Sequence, residues 1–204
     1  CVTRRQRQMC IRDRYVAFHA KTNEEVRASL RKRDDLAAFS DDLIGITIDP
    51  YGDGRNNIFM GSNPLGSQID LRLLNKISEE QRYDFAYDLE YESAGVVGEN
   101  EYFVELKIPF SSISFPSGKN QEWKFSFFRR YLDYFIRTSK EDRDNSCQTC
   151  QLNDIIFFDK IKINKKIDLL PYISSNLTGS KNDNSSTIDY QKIKPNIGIG
   201  VNAE

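Results

Sequence analysis

The feature that most constrains this chain is a strict two-residue alternation beginning at Leu43. Ile44, Ile46 and Ile48 alternate with Gly45 and Thr47, which gives a strand one apolar face. Asp49, Pro50, Gly52, Asp53 and Gly54 then supply turn chemistry before a second apolar run, Ile58 to Met60, so residues 43–63 read as a β-hairpin with a long acidic tip. The same grammar of short strands and polar turns continues to about residue 165. It predicts an all-β domain, an antiparallel β-sandwich of jelly-roll-like type.

Composition sets the limits around that reading. Hydrophobic residues make up 39% and aromatics 12% of 204 residues, enough for a sizeable core. The 29 Lys and Arg nearly cancel the 30 Asp and Glu, and a net charge of -1 removes the electrostatic case for a nucleic-acid partner. No apolar run approaches the roughly 18 residues of a membrane-spanning helix, which leaves a β-barrel open.

Residues 1–14 are basic and carry no strand or helix period. They read as adapter-derived sequence, or else a disordered basic tail, ahead of a domain spanning 15–165. Within that domain, residues 15–20 and 26–30 read as a first hairpin, and residues 83–92 as a strand with Tyr83, Phe85, Tyr87, Leu89 and Tyr91 on one face. Residues 94–100 read as a turn, residues 101–109 as a strand with Val104, Leu106 and Ile108 inward, and residues 123–131 as another with Trp123, Phe125 and Phe127 on one face. Residues 155–163 close the domain. From 166 to 204 the pattern changes: apolar residues 169–177, a polar turn at 179–186 and a glycine-alternating run at 197–203 read as the first strands of an incomplete β-barrel.

Several groups invite chemistry. Residues 31–35 combine both charges, either as a solvated loop or as a partly buried Arg33–Asp35 network near Asp41 and Asp42. Asp49 and Asp53, separated by glycines, offer oxygens that would suit calcium, while Asx turns explain the same letters without an ion; no other metal site is expected. Cys147 and Cys150 form a lone C-x-x-C with no second Cys or His pair, His19 being the single histidine. A local disulfide is the preferred reading over a zinc half-site or a redox motif. The tyrosines of residues 83–91 are core, or present one or two ring faces to a sugar; Trp123 is core in the preferred reading.

Taken in order, residues 32–35, the hairpin 46–55, residues 63–68, Val104 to Pro116 and Trp123 to Arg129 resemble the carbohydrate-binding module family 9-like domain. They look closest to the form that opens large envelope proteins of Bacteroidetes-type bacteria, ahead of a domain of unknown function thought to be an outer-membrane β-barrel. Residues 167–172 are similar to the start of that barrel. The resemblance implies saccharide as partner, a cell-envelope location in the outer membrane or periplasm, and attachment to a hydrolase of polysaccharide breakdown. Tyr83 and Tyr87 would then supply ring faces, and Gln68, Asp84 and Arg129 hydrogen bonds to hydroxyls. Two tyrosines stand where the envelope form usually carries tryptophans. The competing functions are a structural plug for the barrel and glycoside hydrolysis, for which no carboxylate pair stands out.

Overall fold

The computed structural model describes residues 13–75, 82–118, 120–132, 134–140, 142, 147–159, 161, 167–177, 179–180, 189–190 and 194–203. Residues 1–12, the charged segment 76–81, the junction 164–166 and most of the turn expected at 179–186 lie outside them. The chain divides into two compact units, residues 1–163 and 164–204.

In the first unit every strand pairing is antiparallel. A three-stranded sheet has the order β1 (Asp13–Lys21), β7 (Glu101–Pro109), β6 (Glu92–Gly98). A seven-stranded, curled sheet runs β10 (Asp154–Asp159), β8 (Asn120–Tyr131), β2 (Leu43–Asp49), β3 (Asn56–Ser62), β4 (Gln68–Leu74), β5 (Tyr83–Asp84). The short strand β9 (Tyr134–Arg137) pairs with the end of β8. The unit is all-β, as the alternation predicts, with antiparallel sheets of three and seven strands.

One core lies between the sheets. Ile44, Ile46 and Ile48 of β2 and Ile58 and Met60 of β3 meet Tyr102, Val104, Leu106 and Ile108 of β7, with Trp123 and Phe158 among them. Trp123 is 3% exposed and rings of Phe110, Phe115 and Phe158 surround it. A second apolar cluster of Leu43, Phe59, Ile69, Leu71 and Phe128 lies on the opposite face of the large sheet. Gly45 and Gly61 face each other across β2 and β3, and the Phe59 ring lies over both. A Cβ at Gly45 would come within 2.3 Å of the Met60 carbonyl oxygen.

Four readings change. Residues 26–30 form no hairpin with β1, which pairs instead with β7. They run as an extended strap, because buried Asp42 and Asp41 accept hydrogen bonds from the Arg27 and Ser29 amides and replace a strand partner. The strand starts at Asp13, and Arg14 pairs with Ile108 and stacks 4.7 Å from the Phe158 ring. Residues 94–98 are strand rather than turn, since the reversal sits at Asn100, which holds the left-handed conformation at φ 57. Of residues 83–92 only Tyr83, Asp84 and Glu92 lie in strands.

In the second unit, β11 (Ile167–Asn176) pairs with β14 (Lys194–Ala203) along its whole length, and β12 (Gly179–Ser180) with β13 (Asp189–Tyr190). Ile173 faces Ile197, and Pro171 faces Ile199.

Candidate functional site

Curling makes the second face of the large sheet concave and gives it a groove of about 650 Å³, within the usual range for small-ligand sites. Its floor comes from the middle strands: Thr47 of β2, Phe59 of β3, Leu71 and Leu73 of β4, Phe128 of β8. Phe59 and Phe128 meet edge to face at 5.3 Å between centroids. Rings stand at both margins. Tyr83 of β5 and Phe85 just after it, 6.2 Å apart and nearly parallel, rise on one side, 42% and 36% exposed. Phe135 of β9, 54% exposed, rises on the other. Arg137, Ser139, Lys140 and Gln148 add polar groups from β9 and the chain that follows it.

The Tyr83–Phe85 margin is held unusually. The backbone ladder to β4 lasts two residue pairs, Leu73 with Tyr83 and Arg72 with Asp84. Beyond it, alternate side chains of β4 take over. Arg72 donates to Asp84 (2.7 Å) and stacks 5.1 Å from the Tyr87 ring, Asp70 accepts from the Leu89 amide (2.6 Å), and Gln68 donates to the Tyr91 carbonyl (2.7 Å). Arg33 closes the arrangement by pairing with Asp70 (2.7 Å) and donating to the Leu89 carbonyl. The charge block at 31–35 is therefore partly buried, but Arg33 pairs with Asp70, Asp34 and Asp88 rather than with Asp35; Asp35 lies 3.8 Å from Arg31 and caps the short helical turn Leu36–Ser40 through the Ala37 amide. Burial pushes the Asp70 carboxyl up to about 6, with the Asp34 charge adding to it and the Leu89 amide and Arg33 opposing it. Burial likewise pushes the Tyr91 phenol up; its hydroxyl donates to the Gly61 carbonyl.

Of the five residues expected to contact sugar, Tyr83 lines the groove. Gln68, Asp84 and Tyr87 belong to the support just described. Arg129 projects from the other face of β8, donates to the Lys21 carbonyl (2.8 Å) and stacks 4.8 Å from the Tyr131 ring. Phe85, Phe128, Phe135, Arg137 and Lys140 were not singled out as ligand contacts from sequence. The available signal was the Phe127–Phe128 pair, which makes β8 apolar on both faces and marks the second face as covered or concave.

No protein-family model matches the chain, and no curated protein is similar to it. Among solved structures it is similar to the crystal structure of a candidate carbohydrate-binding protein from Bacteroides uniformis, at 20% identity and a TM-score of 0.49. That likeness covers 69% of this chain and 71% of the other. It is too distant to transfer a site, so the groove stands on its own geometry.

Two further groups have local roles. Both oxygens of buried Asp49 accept backbone amides, from Gly52 (2.8 Å) and Gly54 (2.9 Å), and Asp53 accepts from the Arg55 amide (2.9 Å). Among the described residues no cluster of three or more His, Cys, Asp or Glu could hold a metal. Cys147 and Cys150 form a disulfide with Cα atoms 5.4 Å apart. It rests against the hairpin tip: Thr149 donates to the Gly54 carbonyl, and Asn57 donates to the Thr149 carbonyl (2.9 Å).

Proposed function

We propose that this chain is a saccharide-binding domain and that the ligand lies in the concave groove of the large sheet. The observation that carries the reading is the placement of exposed ring faces, Tyr83 and Phe85 at one margin and Phe135 at the other, over an apolar floor with hydrogen-bonding groups at one end. The C–H faces of a pyranose stack on aromatic rings, and its hydroxyls need both donors and acceptors. Thr47 and Gln148 offer both, and Arg137 and Lys140 donate. Glycoside hydrolysis needs two carboxylates facing the ligand, about 5–9.5 Å apart. The described lining residues supply none.

Isothermal titration of the full chain with plant and microbial oligosaccharides tests the proposal. Binding that weakens about fivefold in Tyr83→Ala and in Phe135→Ala is the expected result, each stacked ring being worth about 1 kcal/mol. No heat with any saccharide at millimolar concentration, or unchanged affinity in both variants, would overturn it.

The second unit supports a cell-envelope setting as a further part of this proposal. Pro171, Ile173, Ile197 and Ile199 share one side of the hairpin, where Ile173, Ile197 and Ile199 are 73%, 80% and 69% exposed; Tyr172, Ser174, Gly198 and Asn196 occupy the other side. Ten-residue strands with aliphatic and polar sides are what a lipid-facing barrel wall requires.

A further inference from the structure

The polar end of the groove is tied together by one short turn. Cys147 and Cys150 close it with their disulfide, and Gln148 between them lines the groove. Thr149, 2% exposed, fastens the turn to the tip of the β2–β3 hairpin through the Gly54 carbonyl and the Asn57 side-chain amide, and both oxygens of Asp49 hold that tip in turn. The Cys150 sulfur is seated so closely on the tip that a Cβ at Gly54 would come within 2.6 Å of it. Gln151 accepts from the Asp142 amide (2.5 Å) and donates to the Asp142 carbonyl (2.9 Å). The Asn153 amide donates to the Ser139 hydroxyl (2.9 Å), which joins the turn to the segment that follows β9.

Hydrogen bonds fix the turn at Thr149, Gln151 and Asn153, and the disulfide supplies a covalent closure across Gln148. Opening the bridge returns backbone freedom to residues 147–150. A ligand seated against Gln148 must then order the turn as it binds, an ordering that the closed ring supplies in advance. Neither cysteine belongs to the apolar clusters that hold the sheets together, so the fold survives the opening. Cys150 is exposed and Cys147 half-buried, within reach of a thiol in solution. Building on the saccharide reading above, we infer that the Cys147–Cys150 disulfide is a positioning element of the groove: closed, it holds the wall at Gln148 in ligand-binding shape, and a dithiol that opens it switches the site to a weaker state. A thiolate of the dithiol attacks one sulfur and the S–S bond breaks. Two electrons and two protons pass to Cys147 and Cys150, which become thiols, and the dithiol closes to its own disulfide.

The full chain carrying Cys1→Ser and Cys10→Ser, in which Cys147 and Cys150 are the remaining cysteines, is titrated with cellohexaose, xylohexaose and mannohexaose before and after treatment with dithiothreitol. The expected result is that the best of the three binds about fivefold more weakly to the reduced chain and regains its affinity on reoxidation, while chemical denaturation shows the reduced chain still folded. Cys147→Ser with Cys150→Ser should reproduce the reduced affinity and no longer respond to dithiothreitol. Coupling is reciprocal, so the saturating saccharide should shift the equilibrium between the bridge and dithiothreitol toward the closed form by the same factor, read by alkylation of free thiols. A bridge that only stiffens the loop would leave that equilibrium unmoved. Equal affinity in the two redox states, an equilibrium that the saccharide does not move, or a loss of affinity that accompanies unfolding overturns the inference and leaves the saccharide reading in place. Binding of none of the three to the oxidised chain overturns both.

Discussion

Asp70 is fully buried with one guanidinium and one amide as partners, and its carboxyl is pushed up from the usual range to about 6. A raised carboxyl pKa means that the folded chain holds a proton which the unfolded chain has released. The stabilisation is complete below the unfolded pKa of 3.8 and is lost as pH rises through about 6. Chemical denaturation between these limits should show stability falling by about 1.4 kcal/mol per pH unit from this group, and Asp70→Asn should remove that slope. Asp41 acts in the opposite sense: burial works against its ionisation, but hydrogen bonds from Arg31, Asn63 and Ser29 outweigh burial and hold its carboxyl below the usual range. Its contribution is present above the unfolded value and is lost on acidification through the lower folded one. Comparing the slope of Asp70→Asn with that of the unaltered chain isolates the Asp70 part. Glycine matters at two places. At Gly45 an added methyl would meet the Met60 carbonyl and press on Phe59, so Gly45→Ala should cost about 2–3 kcal/mol and distort the groove floor. Gly54 combines φ +66 with a would-be Cβ only 2.6 Å from the Cys150 sulfur, and Gly54→Ala should lower stability by about 1–3 kcal/mol in the same measurement.

At the scale of elements, β4 carries two duties on its two faces. Ile69, Leu71 and Leu73 build the groove side, and Gln68, Asp70 and Arg72 hold residues 84–91. Arg72→Ala should weaken saccharide binding severalfold by releasing the Tyr83–Phe85 margin while costing at most about 1 kcal/mol of stability, because the Arg72–Asp84 pair is partly exposed. Binding unchanged in that variant would show that the margin holds without the pair. The same element explains what was legible in the sequence. Alternation located β2, β3, β4, β7 and β8 because each has a continuous apolar face, and it placed Trp123 in the core. It misread residues 83–92, whose alternating aromatics imitate a strand, because the ladder there is made by side chains from β4, a long-range arrangement that leaves no local period. It missed most of the groove because Phe135 and Arg137 reach Phe128 through the pairing of β9 with β8, and which strand folds back on which is not written in a two-residue repeat.

For the whole molecule, the proposed envelope setting gives the two units different surroundings. The first buries its own aliphatic residues between two sheets, whereas the second leaves Ile173, Ile197 and Ile199 open. Flotation of the full chain with phospholipid vesicles should show association, and Ile173→Asp together with Ile197→Asp should abolish it while leaving saccharide titration unchanged. Equal flotation of the variant would argue against a lipid-facing hairpin. The side-chain grip of β4 on residues 84–91 also bears on how such a domain diversifies. A margin fastened at a few anchor points can be exchanged without unzipping the sheet beneath it, so recognition loops from other proteins, grafted between Asp84 and Leu89 with Gln68, Asp70, Arg72 and Asp84 retained, would retarget the scaffold toward new ligands.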